Sequence, residues 1–375
     1  MKKLAVMVAL LAATPAFAVN GMRMIGFGPV QATMGGVGVG ASLDAGTTVS
    51  NPAGMADLGG RFDFGAAYFD ATVESSLFGQ TFKSGRGATP IPGFGLIVPI
   101  GKDFRFGIGA YGVAGVGVDY TVGHTNYSQM RFTPAISWKP IDMLSVGATL
   151  NVMYANLDFG AFLPGPTTVA YMGGAAFGFG ATLAAKLNLI SILDVGVAYE
   201  SKSSFSDFKF VGVDDFTGTA PANVTFDQPP ALTFGVGLKV LPMLLVAADV
   251  QWLQWSSTQG TSNQVGAFGT LNWEDQWVYK IGVQLDLADF LKARAGFNYG
   301  KSPVDANSNA ATFMPAISET HVSLGVGLAL ASNVTLNLGT VISPKATAAG
   351  TNPNFGPQEV SVSGFTVEGG LSVTY

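Results

Sequence analysis

The chain ends FTVEGGLSVTY, residues 365–375, and this stretch decides the fold. Phe365, Val367, Leu371, Val373 and Tyr375 fall on one face of a period-two strand, and Thr366, Glu368, Ser372 and Thr374 on the other. In a transmembrane barrel the first set faces lipid, the second faces the lumen, and the terminal aromatic sits at a membrane interface. In a soluble sandwich the same alternation means core and solvent, so one strand leaves both readings open.

Composition and repetition separate them. Of 375 residues, 48% are hydrophobic and 11% charged, and mean hydropathy is +0.37, values typical of a membrane protein. Yet after the N-terminus no run of about 18 uncharged apolar residues occurs, so helical spans are not expected. The other backbone solution inside lipid is a closed barrel, which leaves no N–H or C=O facing hydrocarbon. Fifty glycines fit strands that curve and pack closely, although they also fit a low-complexity chain. With no cysteine there is neither a disulfide framework nor a thiolate metal site. A net charge of -5 gives no reason to expect a nucleic acid partner.

The first residues, MKKLAVMVALLAATPAFA, carry two lysines, a short apolar stretch and Ala16-Phe17-Ala18, the small-x-small form of a signal-peptidase site. Residues 1–18 are therefore expected to be a cleaved export signal, with Val19 the mature N-terminus.

Alternating segments recur near residues 61–74, 91–100, 104–120, 128–139, 143–159, 175–188 and 193–206. They continue near 230–241, 243–256, 273–287, 290–300, 317–330, 333–343 and 364–375. That is about fourteen strands, an even number, as an outer-membrane barrel requires. Tight links at 101–103, 140–142, 189–192, 242, 288–289 and 331–332 separate longer excursions near 75–90, 160–174, 207–229, 257–272, 301–316 and 344–363, with a shorter one at 121–127. Short turns on one side and long loops on the other are what such a barrel shows.

A barrel of this size is too wide for its own side chains to fill. The segment 19–60 precedes the first strand and is too glycine-rich and irregular to join the sheet. It is expected to fold back into the barrel 61–375 as a plug, its turns set by Asn51, Pro52 and Ala53; a periplasmic tail is the other reading.

Several runs carry a family resemblance: Gly26-Phe27-Gly28-Pro29, Met34-Gly35-Gly36, Asp44-Ala45 and Asn51-Pro52-Ala53-Gly54-Met55-Ala56. Trp273 to Lys280, Arg294 to Pro303 and Pro315 to His321 form a second block. The chain resembles the FadL/TodX family of outer-membrane transporters for long-chain fatty acids and other hydrophobic compounds. The resemblance implies an all-β fold, a fourteen-stranded barrel with an N-terminal hatch that passes apolar substrates by diffusion without ATP or ion coupling; a monomer without a cofactor is expected. It also implies a kinked third strand opening the wall towards lipid. Here that strand reads GIGAYGVAGVGVDY, with Gly112, Gly115 and Gly117 in its second half, and crowded glycines make a bulge inexpensive.

Parity places Arg105, Arg131, Lys280 and Arg294 on the lumen side, with Glu319, His321 and Glu368 near them. A carboxylate leaving water needs a cationic donor, which makes Lys280 and Arg131 the head-group candidates; alternatively these charges pair with lumen carboxylates and hold the plug. Phe162, Leu163, Tyr171 and Met172, in an unusually apolar loop, are candidates for capture or for packing as a lid. Trp252, Trp255, Trp273 and Trp277 are expected in an interfacial aromatic girdle. No histidine lies in a catalytic or metal-ligand pattern. Passive uptake of fatty acids or related lipophiles is the leading expectation; an aromatic-hydrocarbon channel, a barrel enzyme and a general porin are the alternatives.

Overall fold

A computed structural model describes residues 19–77, 79–162, 168–169, 174–209, 223–260, 270–352 and 356–375. The expected signal, residues 1–18, lies outside them, as do Leu163, Tyr171, Met172 and the side chain of Phe162.

Fourteen long strands build the wall: β1 (Arg61–Leu77), β2 (Thr89–Ile100), β3 (Phe104–Tyr120), β4 (Gly123–Ile141), β5 (Leu144–Phe162), β6 (Gly174–Ile190) and β7 (Leu193–Glu200). They continue as β8 (Ala231–Leu241), β9 (Leu244–Leu253), β10 (Gln276–Ala288), β11 (Leu291–Gly300), β12 (Thr320–Ala331), β13 (Val334–Asn352) and β14 (Gly356–Thr374). Each pairs antiparallel with the next. The ring closes where β14 pairs β1 from Glu359↔Ser76 to Thr374↔Arg61, and Tyr375 N–H donates to Gly60 O at 2.9 Å. Closure satisfies the backbone groups that an open sheet would leave facing lipid.

Burial follows the two-residue alternation. Val367 and Leu371 are 44% and 41% exposed, whereas Thr366 and Glu368, on either side of Val367, are 0% and 4%. The outer face therefore carries the apolar residues, and the polar set points inward, the inverse of a soluble sandwich. At the short-turn end Phe104 stacks on Trp138, ring centroids 6.1 Å apart, both exposed.

Three expectations are corrected. Residues 344–363, read as a loop, are mostly paired: β13 and β14 run on beyond the wall to Asn352↔Gly356, with a register shift between Ser343 and Ala346. Likewise the excursion expected at 121–127 belongs largely to β4, with His124 inside the strand. Both stretches are small and polar, and cross-strand pairing overrides their weak strand propensity. The tryptophans divide. Trp252 and Trp277 stack at 5.8 Å, with Trp277 51% exposed, but Trp255 and Trp273 are buried edge to face at 5.1 Å in the cover over the long-loop end. There Met22, Phe208, Phe226, Leu271 and Met314 pack in the same apolar cluster.

Residues 19–60 run through the inside of this ring. Asp63 Oδ2 accepts Ala45 N–H at 2.6 Å, Ser323 Oγ accepts Gly35 N–H at 3.1 Å, and Thr149 Oγ1 donates to Thr48 O at 3.0 Å. The strands' lumen glycines let the segment lie flush on the wall: a Cβ at Gly147 would collide with Pro52 and Ala53, and one at Gly296 with Gly35.

The outward face makes a direct stability prediction. Ile281, exposed on the outer face of β10, tolerates apolar replacement, whereas Ile281→Arg should lower barrel stability by about 2–4 kcal/mol. Denaturant unfolding in lipid vesicles measures it, and an unaltered midpoint would contradict the lipid-facing assignment.

Candidate functional site

Among the described residues the wall is incomplete beside β3. β2 pairs β3 only from Ile100↔Phe104 to Gly93↔Tyr111, and β1 only as far as Phe69↔Thr89. Beyond Tyr111, β3 pairs with β4 but not with β2. Just there its register shifts, with Gly112 opposite Met130 and Ala114 opposite Gln129, so Val113 has no counterpart. The bulge reverses the strand's parity: Gly107, Gly109 and Tyr111 are buried before it, and Ala114, Val116 and Val118 after it. Of the three glycines singled out, Gly112 and Gly117 are tight, since a Cβ would strike Ile91 and Arg86 respectively, while Gly115 has ordinary room.

The N-terminal segment supplies what the exposed edge of β3 lacks. Arg23 pairs with Ala114, and Gly115 N–H donates to Met22 O at 2.9 Å. Nearer the long-loop end, Gly85 N–H donates to Asp119 O at 2.7 Å.

An apolar cavity of about 280 Å³ occupies the gap. Val19, Met24 and Tyr127 line its inner part, and exposed Pro90 and Ser128 its outer part, so it passes from the lumen side of the sheet to the lipid side. Arg86 is the basic residue at its lining.

Deeper inside lies a charged cluster. Glu200, at the end of β7, receives Arg23 at 2.8 Å from the N-terminal segment and Arg131 at 2.6 Å from β4. Breaking such a buried pair costs about 3–5 kcal/mol, because it leaves a charge without a partner. Lys280 stands opposite Asp249 in the sheet, and both line a polar cavity of about 30 Å³ with Arg23 and Glu200. Asp249 accepts N–H groups from Gly38, Val39 and Gly40 at 2.9, 3.0 and 2.7 Å. Three cations, Arg23, Arg131 and Lys280, thus share two carboxylates, Glu200 and Asp249. Arg131 Nε and Nη1 have no acceptor among the described residues.

The Asn51-Pro52-Ala53 turn is buried beside β5. Asn51 is extended, as a residue before proline must be, and Pro52 opens a short 3-10 helix, Pro52–Asp57. The Asn51 amide donates to Val39 O at 3.2 Å, joining two arms of the segment. At its end Asp57 pairs with Lys186 at 2.6 Å; burial opposes ionisation of this carboxyl, but the Lys186 charge and hydrogen bond outweigh it and hold the carboxyl below its ordinary range. At its start Val19 N–H donates to His321 Nε2 at 3.1 Å.

Parity had placed Arg131, Lys280, Arg294 and His321 inside, and all four point there; Arg294 binds Gln284 and Asn337 at 2.8 and 2.9 Å. Missed were Arg23, Glu200, Asp249 and Arg86. Arg23 could have been found as the single basic residue between 19 and 60, and Asp249 as an acid on a lumen parity.

The sequence profile described as "Outer membrane protein transport protein (OMPP1/FadL/TodX)" matches residues 5–357. No curated protein sequence matches the chain. The fold is similar to that of the Ralstonia pickettii toluene transporter TbuX, with 19% identity, TM-score 0.72 and coverage of 93% of this chain and 98% of that one. The Pseudomonas putida toluene transporter TodX is similar at 19% identity and TM-score 0.75, covering 93% and 99%. A Pseudomonas aeruginosa FadL homologue is similar at 16% identity and TM-score 0.78, covering 95% and 99%.

Two measurements test how the N-terminal segment is held. Asp249→Asn removes the charge from three backbone hydrogen bonds, so amide exchange at Gly38–Gly40 should quicken by about tenfold or more. Asp44 supplies a pH test: burial, reinforced by the Asp63 charge and opposed by Arg61, pushes its carboxyl from 3.8 up to about 7. A carboxyl raised in the docked state favours docking when protonated, so the Asp44 contribution should be full below about pH 4 and be lost as pH rises towards about 7, opposite in sign to that of Asp57. Asp44→Asn should flatten that pH dependence in exchange measurements corrected for intrinsic rates.

Proposed function

This chain belongs to the outer membrane transport protein family OMPP1/FadL/TodX, and on that premise we propose that it admits hydrophobic small molecules through the outer membrane by passive diffusion. The observation that carries this reading is the apolar cavity of about 280 Å³ that crosses the wall at the β3 bulge. A route that ends in the wall lets an apolar molecule pass into the bilayer without meeting water again, which removes the main cost of its transfer.

Capture is proposed at the long-loop end, taken as extracellular, where loop residues such as Phe226, Trp255 and Trp273 already bury apolar surface with Met22. The loop carrying Phe162, Leu163, Tyr171 and Met172 is proposed to take part. Residues 19–60 act as the hatch, with Asn51, Pro52 and Ala53 as its rigid turn against β5, and Gly112, Gly115 and Gly117 as the flexible side of the gate. Opening the lateral route requires Met22 and Arg23 to leave the edge of β3, which couples hatch movement to the gate.

For fatty acids, Lys280 and Arg131 are the proposed head-group contacts, since the cluster has one more cation than it has carboxylates and Arg131 has donors to spare. A neutral aromatic hydrocarbon is the second reading: the wall cavity is nearly twice the roughly 150 Å³ that houses a benzene and is mostly apolar. Long-lived residence of substrates inside the barrel needs displacement of the segment 19–60 in either case.

Uptake of labelled oleate and toluene by cells lacking and regaining the protein tests the reading. Restoration of either supports transport, and restoration of neither refutes it. Lys280→Ala should lower oleate uptake by about tenfold and leave toluene uptake unchanged, since a charge-assisted contact is worth about 1.5–3 kcal/mol. Unchanged oleate uptake would remove the head-group assignment.

A further inference from the structure

Arg86 borders the gap in the wall. It lies between the Gln80–Lys83 strand and β2, and it reaches across the gap to β4, where Nη2 donates to Asn126 Oδ1 at 2.7 Å and Nη1 to Thr125 O at 3.4 Å. Neither acceptor is charged. Among the described residues Arg86 makes no ion pair, in contrast to Arg23, Arg61, Arg131 and Lys186, and it shares this with the inward Arg294, which binds neutral Gln284 and Asn337. Asp119 acts on it only at longer range. Gly117 makes the seat: a Cβ there would collide with the guanidinium.

The surroundings of this cation are apolar. Met24, Phe69, Ile91, Val116 and Met130 line the same cavity, with Gln129 as a polar neighbour. A guanidinium beside an apolar hollow without a carboxylate has the complementarity of one kind of molecule, a negative head on a short apolar tail. The polar lumen cavity, at about 30 Å³, has no room for such a tail.

We propose that Arg86 is the head-group contact of a second binding site, in the wall itself, and that this site takes compact single-chain anionic amphiphiles. The proposal rests on the transport reading and deepens it: the lateral exit selects by charge as well as by apolarity. A tail that outgrows the cavity must extend into lipid and gains nothing further from the protein.

Equilibrium dialysis of the full chain in amphipol against decanoate and decanol at pH 8 tests it, with toluene as a neutral control. Decanoate should bind at least tenfold more tightly than decanol. Arg86→Gln should erase that difference while leaving decanol and toluene unchanged, and Arg86→Lys should keep most of it. Gly117→Ala, which displaces the guanidinium without removing it, should weaken decanoate as Arg86→Gln does. Equal binding of decanoate and decanol by the native chain would overturn the proposal, as would full retention of decanoate by Arg86→Gln. Tighter binding of dihexanoylphosphatidylglycerol than of decanoate would overturn it too, because the site would then hold a two-chain lipid. The transport reading is judged separately: it survives if toluene and decanol bind but charge makes no difference, and fails if none of the three binds and cellular uptake is also absent.

Discussion

A backbone N–H or C=O that faces hydrocarbon without a partner costs several kcal/mol, and the architecture of this protein is a response to that cost. Strands are admissible in the membrane only if the last pairs with the first, as β14 does with β1 over most of their length. Closing fourteen strands creates a second problem, an interior too wide for wall side chains alone. Residues 19–60 occupy it, and because both surfaces are backbone-rich they meet through glycines: Gly35 on Gly296, Gly40 on Gly235 and Gly237. The glycine content of the chain thus has two sources, curvature of the wall and close approach of the segment within it.

The same cost explains why the gap at β3 is informative. A strand edge left open towards lipid needs substitutes for its missing partner, and here they come from Met22, Arg23 and Gly85 rather than from β2. Part of the closure therefore belongs to a segment that is not part of the wall. Arg23 carries both ends of that relation, with its backbone on β3 and its guanidinium on Glu200 of β7. Displacing it exposes a strand edge and a buried carboxylate together, so the resting state is closed by two costs that must be met at once.

Several of the charges inside the barrel are paired, and in one cluster cations are in excess. Asp57 answers Lys186, Asp63 answers Arg61, and Asp249 answers the amides of Gly38–Gly40 as well as Lys280. Around Glu200 and Asp249 the cations outnumber the carboxylates, and in the wall cavity Arg86 stands without an acid. Positive surplus in low-polarity surroundings is where an anionic group brings the largest gain, since its attraction is little screened.

The alternation in residues 365–375, repeated along the chain and joined to an apolar composition without helical spans, determined a barrel with a greasy exterior, its approximate strand number and the rhythm of its turns, because a period of two is a local property of the backbone. It was also enough to put Arg131, Lys280, Arg294 and His321 inside. Strand ends escaped it at 121–127 and 344–363, where pairing between chain segments outweighs small polar side chains, and so did the division of the tryptophans, since Trp255 and Trp273 are buried by loops folding over them. The partners of each charge were decided only in three dimensions: Arg23 and Glu200 lie 177 positions apart in the chain, and nothing local in either records the other. Likewise the cavity lies where β2 stops pairing with β3 beyond Tyr111, beside a single extra residue that shifts β3 against β4, relations between strands that no strand's own pattern contains.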